Sequence, residues 1–256
     1  MKGLFTTLLV LQIGCILAQP PRYTTGNVHS HNDYEQKTPF WLAYNEGFGS
    51  IEADIFLVNG ELLVAHSEKE LPLHRTLEKY YLDPLSVCVA KHGGHPFADT
   101  TASLQMLIDV KADSVRTLGA LIKKLRDYPM LTHNPAIRFV ISGNRPDASL
   151  FPDYPSYIWF DGVLSRVYSP AALEKIAMLS DNFKDFSQWD GNGLIPEREW
   201  AILKKAVDQA HGLHKPVRFW NAPDTANAWR QFMRLQVDYI NTDHIAELSS
   251  FLKALP

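Results

Sequence analysis

Apolar positions along this chain follow two rhythms. Short runs of β-branched, aromatic and apolar residues read as strands: GNVHS, SIEADIF, LLVAH, LQMLIDVK, IRFVISG, DGVLS, PVRFW and VDYINT. Between them lie helix-period stretches: PFWLAYNEGF, DSVRTLGALIKKLRDY, SPAALEKIAML, PEREWAILKKAVDQAHGLH, DTANAWRQFMRL and IAELSSFLKAL. Asp113 with Ser114, Ser169 with Pro170, and Pro223 with Asp224 supply helix-start signals. Strand alternating with helix predicts an α/β fold with a parallel sheet, and about eight strands is the number that a closed (β/α)8 barrel uses. An open doubly wound sheet is the alternative, but no glycine-rich phosphate turn follows the first strand. No repeat or low-complexity tract divides the chain, so a single domain is expected.

Composition narrows the picture. With 256 residues, 46% hydrophobic and 21% charged, the chain can bury one sizeable core. Its 25 basic and 28 acidic side chains give a net charge of −3 with no basic block, which disfavours a nucleic-acid partner. Met1, Lys2 and Gly3 precede an apolar run from Leu4 to Ala18, the pattern of a signal peptide over residues 1–18 cleaved near Ala18, with the barrel domain over 19–256. The run is shorter than the roughly 20 residues of a membrane span. Export, secreted or periplasmic, is the expectation; a lipoprotein site at Gly14 and Cys15 is the weaker one, because Gln12 stands where such sites carry an apolar residue. Cys88 would then be the sole cysteine, a small buried apolar residue with no disulfide partner. The mature protein is expected to be soluble, or at most to touch a membrane peripherally, and nothing in the sequence sets its oligomeric state, a monomer being compatible.

The segment SIEADIFLVNGELLVAH carries the clearest chemistry. Alternation along a strand puts Glu52 and Asp54 on one face and Ile51, Ala53 and Ile55 on the other. Two neighbouring buried carboxylates need a compensating charge. A divalent cation supplies it, and oxygen-only ligation favours Ca²⁺ or Mg²⁺ over zinc; ion pairs with barrel lysines or arginines are the alternative. LIDVK repeats the pattern, offering Asp109 as a third ligand and Lys111 as a partner for a phosphate oxygen, unless the two simply balance each other. His66 ends LLVAH, and His29 and His31 stand where the first strand meets its loop, where barrel catalysis places its residues. Two imidazoles flanking a phosphodiester serve as general base and general acid. Trp220, Asn221, Asn241 and Asp243 follow the last two strands and are candidates for the mouth, with core packing the alternative for Trp220. His74, His92, His95, His133 and His214 have no expected role. FKDFSQWDGNGLIPEREW fails the 12-residue calcium-loop spacing, since Gln188 falls at the first ligand position, and is read as a long loop covering the pocket.

The order HNDYE, SIEAD, LLVAH, LIDVK and VDYINTD resembles the superfamily of glycerophosphodiester phosphodiesterases and phosphatidylinositol-specific phospholipases C. VHSHNDYEQ, RFWNAPD and INTD are similar to its altered-inheritance-of-mitochondria-type branch. The resemblance implies a TIM-like barrel, with His31 and His66 as acid/base catalysts, Glu52, Asp54 and Asp109 holding a divalent ion, and Lys111 beside the phosphate of a small-molecule or lipid phosphodiester. The family usually has an arginine where this chain has Asn32, which can donate an amide N–H but no charge, and the family's third acid is commonly Glu. His29 competes with His31 for the first histidine role. A zinc or manganese amidohydrolase-like or phosphatase-like barrel is suggested by the His-x-His of His29 and His31, although IRFVISG and DGVLS carry no histidine. A secreted barrel that binds a phospho-ligand without turnover is the third reading.

Overall fold

The structure, a computed structural model, describes residues 23–255. The predicted signal segment, Gly14 and Cys15 included, lies outside the described residues. The described strands are β1 (Val28–Ser30), β2 (Ser50–Val58), β3 (Glu61–Val64), β4 (Leu104–Val110), β5 (Ile137–Gly143), β6 (Ile158–Val163), β7 (Ile176–Asn182), β8 (Val217–Trp220) and β9 (Ile240–Thr242). All but β3 run parallel in the order β8-β7-β6-β5-β4-β2-β1-β9. The remaining gap is bridged at Arg218 and Tyr239, where the N–H groups of Asp238 and Tyr239 reach the Val217 carbonyl at 3.1 and 3.0 Å. The chain is therefore a nearly closed (β/α)8 barrel in a single domain.

Strand alternation sorts its side chains. Ile51, Ala53 and Ile55 of β2, Met106, Ile108 and Val110 of β4, Phe139 and Ile141 of β5, and Val217 and Phe219 of β8 join the core beneath the helices. Inside the barrel, Leu107, Val140, Ala177 and Met178 form a separate apolar plug. Buried His29, Glu52, Gln105, Ser142, Asp161, Ser180 and Arg218 come from the same strands and stand in a polar interior.

Helix Ser114–Leu125 shows how the outer layer forms. Asp113 caps it by accepting the Arg116 N–H, Leu118, Leu121 and Leu125 face inward, and Lys123 and Lys124 complement its C-terminal dipole. Helix Ala226–Leu235 starts from Thr225, whose side chain accepts the Ala228 N–H; Asp224, expected to help start it, accepts the Trp229 indole N–H with one oxygen and turns the other to the barrel mouth.

The expected strand count was reached through two compensating departures. LLVAH is β3, an antiparallel hairpin partner of the long β2 outside the barrel path. The missing barrel strand is β7, IAMLSDN, which continues the helix-forming run SPAALEK; the helix stops at Glu174 and the rest fills the gap between β6 and β8. Local propensity favours helix across that run, and sheet pairing overrides it. A helical segment over residues 78–91, unmarked in the sequence reading, packs after β3; Pro84 sits in the first turn of Asp83–Lys91, where its missing N–H costs nothing. Cys88 is buried there, as expected. FKDFSQWDGNGLIPEREW, read as a long loop, follows β7; buried Trp189 ties it to the core, and none of its residues lines the cavity at the barrel mouth among the described residues. No described helix is long and apolar enough to cross a membrane.

Candidate active site

The parallel register of β2 and β4 sets Asp54 opposite Asp109, while Glu52 lies two residues deeper on β2, opposite Leu107. One oxygen from each of the three acids lies within 4.8 Å of the others. Burial and the charges of Glu52 and Asp109 push Asp54 up to about 7, against the pull of Lys111. Glu52 goes the other way: burial works to raise it, but His29 and Arg218 hold it well below the usual carboxylate range. Asp54 Oδ1 is buried with no hydrogen-bond partner among the described residues. An orphaned carboxylate oxygen facing two further acids fits a hard divalent cation such as Ca²⁺ or Mg²⁺.

Lys111, just beyond β4, places its ammonium 2.8 Å from Asp54 Oδ2 and 3.2 Å from Asp109 Oδ1. The ion pairs weighed against a metal site are thus present as well, since Arg218 is 3.3 Å from Glu52. Lys111 nevertheless lines the cavity at the mouth, about 370 Å³ in volume, together with His31, Asn32, Glu52, His66, Asp109 and Trp220. Asp54 lies fully buried beside it, covered by Tyr34 and Lys111.

His29 of β1 and His31 just beyond it share an inward face but not an environment. His29 has Nδ1 2.7 Å from Ser50 Oγ and Nε2 2.6 Å from both Glu52 Oε2 and Arg218 Nη1. Burial and Arg218 lower it to about 4, so it stands as a neutral element of the interior. His31, one layer higher, lines the cavity with Nδ1 2.8 Å from Asp243 Oδ1, which leaves Nε2 for chemistry. Burial opposes its imidazolium, but the Asp243 hydrogen bond and the charges of Glu52 and Asp243 outweigh it and raise the pKa. His66, on the loop after β3 with its side chain about half exposed, has Nδ1 3.3 Å from Asp54 Oδ2 and 3.1 Å from the Tyr34 hydroxyl.

The motifs meet in space. Asp224 accepts the Thr242 hydroxyl at 2.9 Å and the Asp243 N–H at 2.8 Å, so the RFWNAPD segment fixes the INTD turn that presents Asp243 to His31. Asn32 stands in the left-handed region at φ 45°, its carbonyl oxygen 2.9 Å from the Tyr34 hydroxyl, which leaves its amide N–H groups for a ligand. Buried Asp33 accepts from Ser30, the Phe40 N–H and Tyr81, fixing the turn.

Four residues of the site had not been singled out in the sequence. Arg218 reaches His29, Glu52, Asn241 and Asp161 from β8. Asp161, kept above the usual carboxylate range by burial despite Arg218 and Arg145, accepts from Ser180 and Ser142. Arg145 donates to the Asp161 carbonyl from the loop after β5. Tyr34 joins Asn32, Asp54 and His66. The signal for Arg218 was its position between Val217 and Phe219, two residues before Trp220, which assigns it to the inward face.

The nearly closed parallel barrel, with an acidic triad and two histidines at its mouth, is similar to glycerophosphodiester phosphodiesterase-like domains. Known proteins agree: residues 23–138 match the AIM6-like phosphodiesterase domain and residues 216–246 match the Glycerophosphoryl diester phosphodiesterase family. The motif resemblance to this superfamily and its altered-inheritance-of-mitochondria-type branch is thereby borne out. The chain is 28% identical over 303 residues to Altered inheritance of mitochondria protein 6 of Kluyveromyces lactis, covering 88% of this chain and 72% of that one. It is 29% identical over 258 residues to the homolog in Arthroderma benhamiae, covering 85% and 81%. The crystal structure of glycerophosphodiester phosphodiesterase from Agrobacterium tumefaciens superposes with a TM-score of 0.52 over 90% of this chain and 97% of that one, at 14% identity, and shares the fold.

Proposed function

We propose that this protein hydrolyses a phosphodiester, of glycerophosphodiester or phospholipid origin, in a divalent-cation-dependent reaction with His31 and His66 as the acid/base pair. The observation that carries the reading is the convergence of Glu52, Asp54 and Asp109 oxygens beside a cavity that both histidines line. Ca²⁺ or Mg²⁺ held by these three acids would polarise a phosphoryl oxygen. Asn32 donates to the phosphate, and Lys111 offsets its negative charge from the cavity wall. One histidine takes a proton from the attacking water or substrate hydroxyl, and the other protonates the departing alkoxide. Asp243 holds the His31 ring through Nδ1, so its proton traffic runs through Nε2. Trp220, partly exposed at the rim, offers an aromatic surface to the alcohol.

The His-x-His alternative loses its main support, because Arg218 lies 2.6 Å from His29 Nε2, where a zinc or manganese ion would have to bind. Export after cleavage near Ala18 remains part of the proposal on the strength of residues 1–18, as does peripheral contact with a membrane carrying the substrate. The test is hydrolysis of glycerophosphodiesters and bis(p-nitrophenyl) phosphate with Ca²⁺, Mg²⁺ or chelator. Wild type is expected to turn over only with cation, and His31→Ala, His66→Ala and Glu52→Gln to lose at least about 100-fold, the usual worth of one acid/base group. Full activity in these variants would refute the assignment; binding without turnover across the panel would favour the non-catalytic barrel.

A further inference from the structure

A second, larger cavity of about 680 Å³ opens beside the first and shares Lys111, Gly143, Arg145 and Val163 with it. A substrate seated at the acids would extend into it without leaving the protein surface. Its cations come from three successive strand ends: Lys111 after β4, Arg145 after β5 and Arg166 after β6. Among the described residues Asp113 is the one carboxylate in the wall, and it is engaged in capping a helix through the Arg116 N–H. Arg166, about half exposed, is paired among the described residues with Asp147 alone, at 3.5 Å, which leaves guanidinium donors for a ligand. The Tyr168 hydroxyl accepts the Val163 N–H at 2.8 Å, so its own proton is available to an acceptor in the cavity.

The aromatic residues exclude the opposite preference. A quaternary ammonium head group needs open ring faces. Arg166 already lies over the Tyr168 ring at 5.6 Å, and Phe151 is buried and stacked on Phe160 with centroids 3.7 Å apart. What this wall offers is positive charge and hydrogen-bond donors.

We infer that the second cavity is a specificity subsite that selects phosphodiesters whose alcohol carries a further anionic group, a carboxylate or a phosphate monoester, with Arg166 and Arg145 as its recognition residues. This rests on the phosphodiesterase reading for the position of the scissile phosphate. Free guanidinium donors next to a fixed anion make charge-assisted, bidentate hydrogen bonds, the geometry for which arginine is suited.

The experiment compares matched pairs: glycerophosphoserine against glycerophosphoethanolamine for the carboxylate, and glycerophosphoglycerol with and without a terminal phosphate for the phosphate. Wild type is expected to favour the anionic member of at least one pair about tenfold in kcat/KM, on the scale of one charged hydrogen bond. Arg166→Gln should reduce that ratio, and Arg166→Glu should abolish or invert it. Calorimetry with O-phosphoserine and O-phosphoethanolamine reads the same preference without turnover. Hydrolysis across the panel with ratios near one, or ratios indifferent to Arg166→Glu, overturns the subsite and leaves the phosphodiesterase reading intact. Preferential, Arg166-dependent binding of O-phosphoserine without hydrolysis of any diester sustains the subsite and removes the catalytic reading.

Discussion

Glu52 and Asp54 are two residues apart on one strand, yet their protons are held with opposite strength, because one faces His29 and Arg218 and the other is buried between carboxylates whose charge Lys111 offsets only in part. The same contrast separates His29 from His31. Arg218 and burial keep the lower imidazole neutral, and Asp243 favours protonation of the upper one. For His31 the sign is definite: an imidazole raised by a carboxylate partner keeps its proton to higher pH, and loses that advantage when the partner is neutral. Asp243→Asn is therefore expected to lower the His31 titration midpoint, followed by NMR of the imidazole carbons, with the corresponding limb of the pH–rate profile moving to lower pH. An unmoved midpoint would mean that Asp243 does not set the state of His31.

At the scale of elements, the site depends on how closely neighbouring strands approach at their C-terminal ends. Gly143, the last residue of β5, has φ +66°, and a Cβ added there would lie 2.3 Å from Asp109 Oδ1 and 2.7 Å from the Val110 carbonyl oxygen. A side chain here meets both a left-handed backbone and the carboxylate expected to bind the cation. Gly143→Ala is expected to cost roughly 1–3 kcal/mol of stability and to weaken cation binding by displacing Asp109. Chemical denaturation measures the first effect and calorimetric titration with Ca²⁺ or Mg²⁺ the second; wild-type values in both would show that the loop yields without cost. Strand β7 makes the complementary point, since its Ala, Met and Leu favour helix, and only the vacancy between β6 and β8 makes it a strand.

For the whole molecule, three acids from adjacent strands converge only when the barrel is folded, so a cation bound there stabilises the native state over the unfolded chain. At a hundredfold excess over its Kd the gain is about 2.7 kcal/mol, a rise of roughly 5–10 °C in Tm for a chain of this size. Thermal melts with Ca²⁺ and Mg²⁺ are expected to show that rise in wild type and to lose it in Glu52→Gln. A shift that survives the substitution would place the ion elsewhere. Closure of the barrel at Val217, Asp238 and Tyr239 matters to the same site, because it carries Arg218 of β8 to His29 and Glu52, while the pairing of β9 with β1 brings Asp243 within reach of His31 across 212 residues of sequence.

The alternation of short apolar runs and amphipathic stretches was enough to predict an α/β fold with a parallel sheet, and period-two spacing was enough to put Glu52 with Asp54, and Asp109 with Lys111, on inward faces, because those are local rules of backbone geometry. Local rules cannot say which strand ends become neighbours. The pairing of Asp54 with Asp109, the Asp224 hold on the Asp243 turn, the Arg218 contact that separates His29 from His31, and the identity of β7 as a strand all arise from contacts between distant segments. Pairing of neighbouring strands supplies the first and the last of these, and curling of the sheet until β8 nearly meets β9 supplies the other two, so tertiary contact decided how the residues visible in the sequence are charged, held and placed around the cavity.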